Sequence, residues 1–428
     1  MNTYTKAKGD FMKKFILSLL SLGLLTSFMG CGNKDKSVSG KDKVLKLALW
    51  DANQKPVIES MISNFEKENP DIKVVVEITP FSQYWTKLET AATGGQLQDI
   101  FWINAPNFTK YAKANMILPI QDLADNKTIN TEAFPEGMIK MYTYDNKLMA
   151  APKDIDTTAL WYNKEIFDSL QLQYPNDNWT WNDMINIAKE IKNKTGNYGL
   201  ALGFAGQEDY YEIISQFGGR VISPDKKSSG FSDPNTIAAI KEIKRLLDDK
   251  VIPSLGEIAD TRSSDLFQSQ KVAMTYSGSW MVKQYMKNEI IKDKVDLAKL
   301  PLKTKDAAII HGLGYAIYSQ TKYPEESKKL VAYLSTKDSH DTQAKSGIVI
   351  PAYIESQEIW TDSYPNLNLH GYSNMLPNGI EYPASLNTGK WEDVMNEYLN
   401  KVWMGELTAE KACEIIDEKM NAILKEEV

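Results

Sequence analysis

The sequence contains little cysteine and little histidine. Its 428 residues include 2 cysteines, Cys31 and Cys413, and 3 histidines. A fold held by disulfides needs more cysteines than this, and His311, His340 and His370 do not have the spacing of zinc ligands. We therefore expect no cofactor and no cross-link, and we expect Cys413 to be a buried small apolar side chain on an amphipathic helix. Stability must then come from burial of apolar surface.

The chain also lacks a basic patch, and beyond its N-terminal segment it lacks long apolar runs. The formal net charge is −7, with acidic and basic side chains interspersed, so we expect no binding to nucleic acid. A membrane-spanning helix needs about 20 apolar residues, and no later segment approaches that length. The main body of the protein is therefore expected to lie outside the membrane.

Motifs of hydrolytic enzymes are missing or misplaced. No G-x-S-x-G or H-E-x-x-H motif occurs. Residues 319–322 fit the S-x-x-K motif of penicillin-binding proteins and residues 194–196 fit K-T-G, but their order along the chain is reversed and S-D-N is absent. We therefore expect a protein that is not an enzyme. A glycosidase with paired carboxylates stays open as an alternative, because aspartate and glutamate are plentiful.

The N-terminal segment has the pattern of an export signal. Lys13 and Lys14 precede an apolar run at residues 15–28, and small residues follow. The sequence FMGC at 28–31 resembles the bacterial lipobox, whose cysteine receives lipid and becomes the first residue of the mature chain. We expect a signal peptide over residues 1–30, with Met12 as the true start, and a diacylglyceryl membrane anchor on Cys31. The alternative is a secreted protein with an incidental Cys31.

The rest of the chain predicts a tether followed by two domains. Residues 31–43 have no apolar periodicity and no large side chain, which is typical of a flexible segment. The roughly 385 residues that follow are too many for one core. Strand and helix patterns alternate along them, which indicates an α/β fold with helices on the faces of parallel or mixed sheets. Strands are predicted at residues 44–50, 72–80, 99–104, 271–278 and 312–320, and helices at 56–70, 84–95, 180–197, 232–250, 323–336 and 408–427.

Eight stretches, spread over the whole chain after residue 43, resemble a known family when taken in this order and spacing. They are NPDIKVVVE, TAATGGQLQDIFWIN, LMAAPKDIDTTALWYNKEIF, WTWNDMINIAKEI, GFSDPNTIAAI, KVAMTYSGSW, GYAIYSQTKYPEESKKLVAYLS and WMGELTAEKACEIIDEKMNAIL. Together they resemble the bacterial extracellular solute-binding lipoproteins of sugar ABC importers, the maltose-binding-protein-like group. The resemblance implies an α/β fold of two lobes, each a mixed sheet flanked by helices, with a ligand cleft at the hinge.

The resemblance also implies domain boundaries and a function. Lobe 1 is expected at residues 44–152 and 300–350, and lobe 2 at residues 153–299 and 351–428. The protein would capture a carbohydrate and deliver it to the permease and ATPase subunits of an ABC importer. It would do so as a lipid-anchored monomer at the outer face of the cytoplasmic membrane. A polyol or a glycerol phosphoester is the alternative ligand.

The cleft is expected where strands end, because ligands gather at the carboxyl ends of strands in open α/β sheets. Sugars present flat faces edged by hydroxyl groups, so aromatic rings, carboxylates and amides are the candidate contacts. Trp50 and Asn104 lie at strand ends. Tyr84 and Trp85 share a helix, so only one of them can face the cleft, and we expect Tyr84 to do so.

The resemblance adds further candidate contacts. Trp102 and Trp280 would be stacking tryptophans, and Asp154 and Asp156 would be acidic contacts at the lobe crossing. Tyr210 and Tyr211 would be aromatic contacts, and Gly312 and Gly314 would let the backbone approach the ligand. Trp391 would be a third cleft tryptophan. Ala105 and Pro106 replace charged residues of the maltose-binding member, so those contacts do not carry over. A core position for each tryptophan, a hinge cap for each aspartate and a strand entry for each glycine are the alternatives.

Overall fold

The structure is a computed structural model that describes residues 43–427 of the chain. The expected signal peptide, Met12, Cys31 and the tether lie outside these residues. Within residues 43–427, no helix combines the length and the apolar composition that crossing a membrane requires.

The strands belong to two main sheets and three small ones. They are β1 (Lys43–Leu49), β2 (Ile72–Ile78), β3 (Ile100–Asn104), β4 (Thr143–Tyr144), β5 (Lys147–Leu148), β6 (Ala150–Pro152), β7 (Asp154–Ile155), β8 (Thr158–Asn163), β9 (Tyr198–Ala201), β10 (Val272–Gly278), β11 (Val295–Ala298), β12 (Ala308–Ile310), β13 (Leu313–Ile317), β14 (Ile350–Pro351) and β15 (Gly379–Glu381). The strands predicted from alternating or apolar patterns are confirmed as β1, β2, β3, β10 and β13.

Helices follow most of these strands. They are α1 (Lys55–Glu68), α2 (Phe81–Thr93), α3 (Ala105–Lys113), α4 (Gln121–Asp125), α5 (Glu136–Met141), α6 (Lys164–Ser169), α7 (Trp181–Thr195), α8 (Tyr211–Gln216), α9 (Pro234–Asp248), α10 (Leu255–Asp260), α11 (Ser263–Gln268), α12 (Val282–Lys287), α13 (Pro324–Leu334), α14 (Lys337–Lys345), α15 (Gln357–Thr361), α16 (His370–Ser373), α17 (Thr388–Trp403) and α18 (Ala409–Lys425). The six predicted helices are confirmed as α1, α2, α7, α9, α13 and α18.

Local sequence signals set several helix starts. The Thr180 side chain accepts from the backbone N–H of Asp183, and the Asp183 carboxylate accepts from the backbone N–H of Thr180, so α7 begins with a capping box. Asp233 caps α9 by accepting from the N–H of Asn235, and Pro234 occupies the first helical position. Cys413 on α18 is fully buried, as predicted, and burial raises the pKa of its thiol to about 12.

The first main sheet has the strand order β2-β1-β3-β13-β6. β1 pairs in parallel with β2 and β3, whereas β13 runs antiparallel to β3 and β6. Every residue of β3 is buried, as expected of a central strand with both faces covered. The second main sheet has the order β11-β8-β10-β9, with β10 parallel to β9 and antiparallel to β8. Each lobe is therefore a mixed sheet flanked by helices.

The chain passes between the two sheets more than once. It leaves the first sheet at β6, forms β7 and enters the second sheet at β8; later it leaves the second sheet at β11 and returns at β13. β7 pairs with β14, and Asp156 forms an antiparallel bridge with His311. The crossing segments therefore lie side by side between the lobes, which is where a hinge and a ligand cleft would be built.

Candidate ligand-binding cleft

A cavity of about 700 Å³ lies at this junction. Its volume falls within the roughly 300–1,000 Å³ of typical small-molecule sites. Its lining includes aromatic rings, carboxylates and amides, namely Trp50, Phe81, Trp85, Trp280 and Tyr382, then Asp51, Asp154, Asp156, Glu208 and Glu392, then Asn53, Gln54, Asn104, Asn107, Gln207 and Gln284. Among the residues that the structure describes, no lysine or arginine lines this cavity.

One wall of the cleft is an aromatic cluster on the first lobe. Trp50 follows β1, and its ring centroid lies 5.6 Å from that of Phe81 and 5.8 Å from that of Trp85 on α2. The Tyr84 ring points away from the cleft, because its hydroxyl donates to the carbonyl oxygen of Trp102 at 2.9 Å and the side chain is 2% exposed. The expectation for this helix was therefore wrong: Trp85 lines the cavity and Tyr84 does not.

Trp280 lines the cavity from the end of β10 in the second sheet. It lies in the 3₁₀ turn Ser279–Met281, and its ring covers Gly278 so closely that a Cβ atom there would lie 2.2 Å from the ring. The Glu208 carboxylate accepts from the backbone N–H of Gly278 at 2.8 Å. A side chain at position 278 would therefore displace the Trp280 ring, and the hydrogen bond from the Gly278 N–H to Glu208 fixes the backbone beneath that ring.

Hydrogen-bonding groups from the crossing segments form the floor of the cleft. Asp156 accepts from the Ser279 hydroxyl at 3.2 Å, and its other oxygen lies 3.8 Å from His311 Nδ1. Asp154 is 0% exposed, and its two oxygens accept from the Leu313 N–H at 2.8 Å and from Lys153 Nζ at 2.5 Å. Asp156 can therefore meet a ligand hydroxyl, whereas Asp154 is fully engaged by the protein.

Two further carboxylates, Glu208 and Glu392, line the cavity. The Glu392 carboxylate accepts from the hydroxyls of Tyr382 at 2.8 Å and Tyr211 at 3.0 Å, and burial raises its pKa. Burial also raises the pKa of Glu208. Within residues 43–427, no group of three or more histidine, cysteine, aspartate or glutamate side chains is arranged to hold a metal ion. The cleft combines aromatic faces with carboxylates, which accept hydrogen bonds, and with amides, which both donate and accept them.

The family described as bacterial extracellular solute-binding protein matches residues 51–341. The chain belongs to this family. The galactooligosaccharide-binding protein of Bacillus subtilis is 23% identical over 354 residues, which cover 79% of this chain and 80% of that protein. The multiple sugar-binding protein of Streptococcus mutans is 26% identical over 341 residues, which cover 74% of this chain and 77% of that protein.

A solved structure shares the fold. The ABC substrate-binding protein from Listeria monocytogenes in complex with cycloalternan superposes with a TM-score of 0.83 at 24% identity, over 90% of this chain and 99% of that chain. The expected α/β class and two-lobed architecture of a solute-binding protein are therefore confirmed. The family is a solute-binding family, and its members are extracellular.

Trp102 and Trp391, both expected to line the solute-binding cleft, lie in the core. Each is 0% exposed. Trp102 is on β3, whose residues are all buried, and its ring lies under Lys153. Trp391 is on the inner face of α17, and its Nε1–H donates to the Ser385 hydroxyl at 2.9 Å. Neither ring is available to a solute, so the alternative core position is the correct one.

The tyrosine pair and the glycine pair stand behind the cleft wall. Tyr210 and Tyr211 are 3% and 0% exposed, and Tyr211 contacts the cavity-lining residues from behind, through its hydrogen bond to Glu392 and a ring contact with Tyr382 at 5.6 Å between centroids. A Cβ atom on Gly312 would lie 2.3 Å from the Asp154 carbonyl oxygen, and one on Gly314 would lie 3.1 Å from an alanine Cβ. These glycines permit close packing of strands. They do not line the cavity, which corrects the expected backbone contacts.

Five expected residues do line the cavity, namely Trp50, Asn104, Asp154, Asp156 and Trp280. Asp51 and Trp85 were missed although both carried a signal: Asp51 is the second residue after β1, and Trp85 is the neighbour of Tyr84 on a helix where only one of the two can face the core. Glu208 and Tyr382 carried no such sequence signal. Glu208 lies in a π-helical turn and Tyr382 follows a three-residue strand, and neither element was predicted.

A buried carboxylic acid next to the cleft predicts a pH dependence of stability. Asp209 is 4% exposed and accepts from the Ala205 N–H at 3.0 Å, and burial raises its pKa to about 7. In the unfolded state the pKa of an aspartate is about 3.9, so between about pH 4 and pH 7 the folded state binds more protons than the unfolded state. The contribution of Asp209 to the free energy of unfolding therefore falls as pH rises through this range, by about 1.4 kcal/mol per pH unit.

Replacement of Asp209 by asparagine should remove this contribution. Urea denaturation of the parent and of Asp209→Asn at pH 5, 6, 7 and 8 gives the difference between their free energies of unfolding, in which the titration of unrelated groups cancels. We expect the variant to gain relative stability as pH rises to about 7 and then to level off. Parallel curves for the two proteins would show that Asp209 titrates normally.

Proposed function

We propose that this protein binds a carbohydrate between its lobes outside the cell and delivers it, as a monomer, to the permease and ATPase subunits of an ABC importer. The observation that carries the proposal is the composition of the cleft. Flat rings of Trp50, Trp85 and Trp280 can cover the apolar faces of sugar rings. The acceptors of Asp51, Asp156 and their neighbours can bind the hydroxyl groups at the edges of those rings.

The charge of the cleft favours a saccharide over a glycerol phosphoester. Five carboxylates and no lysine or arginine are found among the cavity-lining residues of the described chain. A phosphate brought into this lining would be desolvated without a cationic partner, which is costly. Uncharged hydroxyl groups, by contrast, donate to carboxylates. The relatives, a galactooligosaccharide-binding protein and a multiple sugar-binding protein, support the same class of ligand.

Delivery to an importer requires that the lobes close around the ligand. We propose that residues 44–152 with 300–350 move against residues 153–299 with 351–428, about the crossings near Lys153 and Leu300. The placement of aromatic rings on one sheet and of Trp280 on the other supports this division. A ligand that contacts both lobes favours the closed state by its differential affinity.

A saccharide screen tests the function. The full chain in mild detergent is melted with maltotriose, raffinose, cellobiose, lactose, galactobiose or arabinobiose, and with glycerol 3-phosphate as the anionic comparison. We expect at least one saccharide to raise the melting temperature and, in small-angle scattering, to reduce the radius of gyration. Stabilisation by glycerol 3-phosphate alone, or binding with an unchanged radius, would contradict the proposal.

The same samples distinguish a binding protein from a glycosidase. A binding protein leaves the stabilising saccharide intact, so mass spectrometry after prolonged incubation should show only the starting mass. Products of hydrolysis would support the enzyme alternative, and Asp156 and Glu208 would then be the first carboxylates to replace.

We further propose that Cys31, which lies outside the described residues, carries the lipid anchor. The apolar run before it and the polar segment after it support this assignment. Replacement of Cys31 by serine should move the protein from the membrane fraction to the medium or periplasm, as followed by immunoblot after detergent phase partitioning. Cys413→Ser is the matched control and should remain in the membrane fraction. Retention of Cys31→Ser would refute the anchor.

A further inference from the structure

Lys153 is a buried cation directly behind the cleft. It is 0% exposed, and its Nζ atom lies 2.6 Å from Gln54 Oε1 and 2.5 Å from Asp154 Oδ2. The ring centroid of Trp102 lies 4.4 Å from Nζ, which is a favourable distance for a cation–π contact. Gln54 and Asp154 line the cavity, and Lys153 does not. The cation therefore acts on the cleft only through its neighbours.

The chemistry of the donors and acceptors fixes the orientation of Gln54. An ammonium group only donates hydrogen bonds, and a carboxylate only accepts them. The Gln54 amide lies between the Lys153 ammonium and the Asp51 carboxylate. Its Oε1 accepts from Lys153, and its Nε2 donates to Asp51 Oδ2 at 3.1 Å. A flipped amide would turn its NH₂ group toward the ammonium and its oxygen toward the carboxylate, and would lose both hydrogen bonds.

Asp51 is the cleft residue at the end of this chain of hydrogen bonds. Its Oδ1 accepts from the backbone N–H of Asn53 at 2.8 Å, and its Oδ2 accepts from Gln54. Two directed donors thus hold one carboxylate orientation at the cavity wall. Directional recognition of a hydroxyl group needs an acceptor that is held in this way by its supporting residues.

We propose that Lys153 is a positioning residue of the ligand site, which orients Gln54 and, through it, presents Asp51 to the ligand. The inference rests on the proposed function in one respect, namely that the ligand donates hydroxyl groups to Asp51. It also gives Trp102 a role: the ring supports the ammonium from below instead of stacking on a sugar.

The competing explanation is that Lys153 only balances the charge of Asp154. Removing one partner of a buried ion pair leaves an uncompensated charge and destabilises the fold. The test therefore replaces both partners, with Lys153→Met and Asp154→Asn together, since asparagine keeps an oxygen for the Leu313 N–H. If charge balance were the only role, this neutral pair would bind ligand as the parent does.

A double-mutant cycle measures how far the effect of Lys153 on ligand affinity depends on Gln54. The saccharide with the largest thermal shift is titrated into the parent, Gln54→Ala, the Lys153→Met/Asp154→Asn pair, and the triple variant. We expect the neutral pair to bind about tenfold more weakly than the parent, and the same two changes to cost less than about twofold in the Gln54→Ala background. Parent-like affinity of the neutral pair, or equal losses in both backgrounds, would overturn the inference.

A second measurement needs no ligand. The side-chain NH₂ signals of Gln54, assigned by their loss in Gln54→Ala, should move and exchange faster with water in the neutral pair. Lys192→Met is the matched control: its Nζ lies over the Tyr198 ring, 3.6 Å from the centroid and outside the cleft lining, so it should leave these signals unchanged. Unmoved Gln54 signals in the neutral pair would refute the inference, whereas failure of every saccharide to bind the parent would refute only the proposed function.

Discussion

Trp280→Ala should weaken saccharide binding by about thirtyfold, or about 2 kcal/mol, because truncation of a central aromatic anchor typically costs at least that much. Trp280 lines the cavity from the end of a strand of the second sheet. Its ring lies directly over Gly278, which leaves room for the ring because it has no Cβ atom. Stacking covers the face of a sugar ring without demanding one pattern of hydroxyl groups. The loss should therefore be similar for two saccharides that differ at one hydroxyl, as measured by titration calorimetry.

Asp156→Ala provides the contrast, since a carboxylate acts through specific hydroxyl groups and its loss should change the preference between the same two saccharides. Trp179→Phe is the control for tryptophan replacement, because Trp179 lies outside the cavity lining and should keep the parent affinity. If Trp280→Ala bound within about threefold of the parent, with an unchanged circular dichroism spectrum, the proposed site would be misplaced.

Trp391→Ala should act on stability instead of binding, with a loss of about 3–5 kcal/mol in the free energy of unfolding. The side chain is 0% exposed in the core of the second lobe, and its indole N–H donates to Ser385. Truncation leaves a large cavity and removes one donor from the Ser385 hydroxyl, which keeps its own hydrogen bond to Glu427. Urea denaturation measures the loss, and calorimetry at low temperature should find the folded variant with nearly the parent affinity.

Asn400→Ala is the matched control on the same helix, because Asn400 is exposed and its replacement should change the free energy of unfolding by less than about 0.5 kcal/mol. The reverse pattern for Trp391→Ala, parent stability with strongly reduced affinity, would restore Trp391 to the cleft and reject its assignment to the core.

The correct and incorrect expectations for the cleft differ in a physical way. Trp50, Asn104 and Trp280 end strands or follow them directly, and the carboxyl ends of strands meet at one edge of a sheet, so local position was enough to place them. Trp102 lies only two residues before Asn104 on the same strand. Its burial depends on Lys153 and on the neighbouring strand β13, which are distant in sequence. No local pattern could therefore distinguish Trp102, which lies in the core, from Trp280, which lines the cleft.

By itself, the sequence predicted five strands and six helices in their order along the chain and the capped starts of α7 and α9, and its resemblance indicated the two-lobed α/β class and the family. These follow from short-range periodicity, from capping chemistry and from motifs spread along the chain. Only the tertiary structure decided which aromatic rings face the cleft, that Lys153 is buried beneath Gln54, and that Glu208 and Tyr382 join the lining. The reason is that burial is set by contacts between segments far apart in sequence, and a tryptophan has the same local pattern in a core as at a cleft wall.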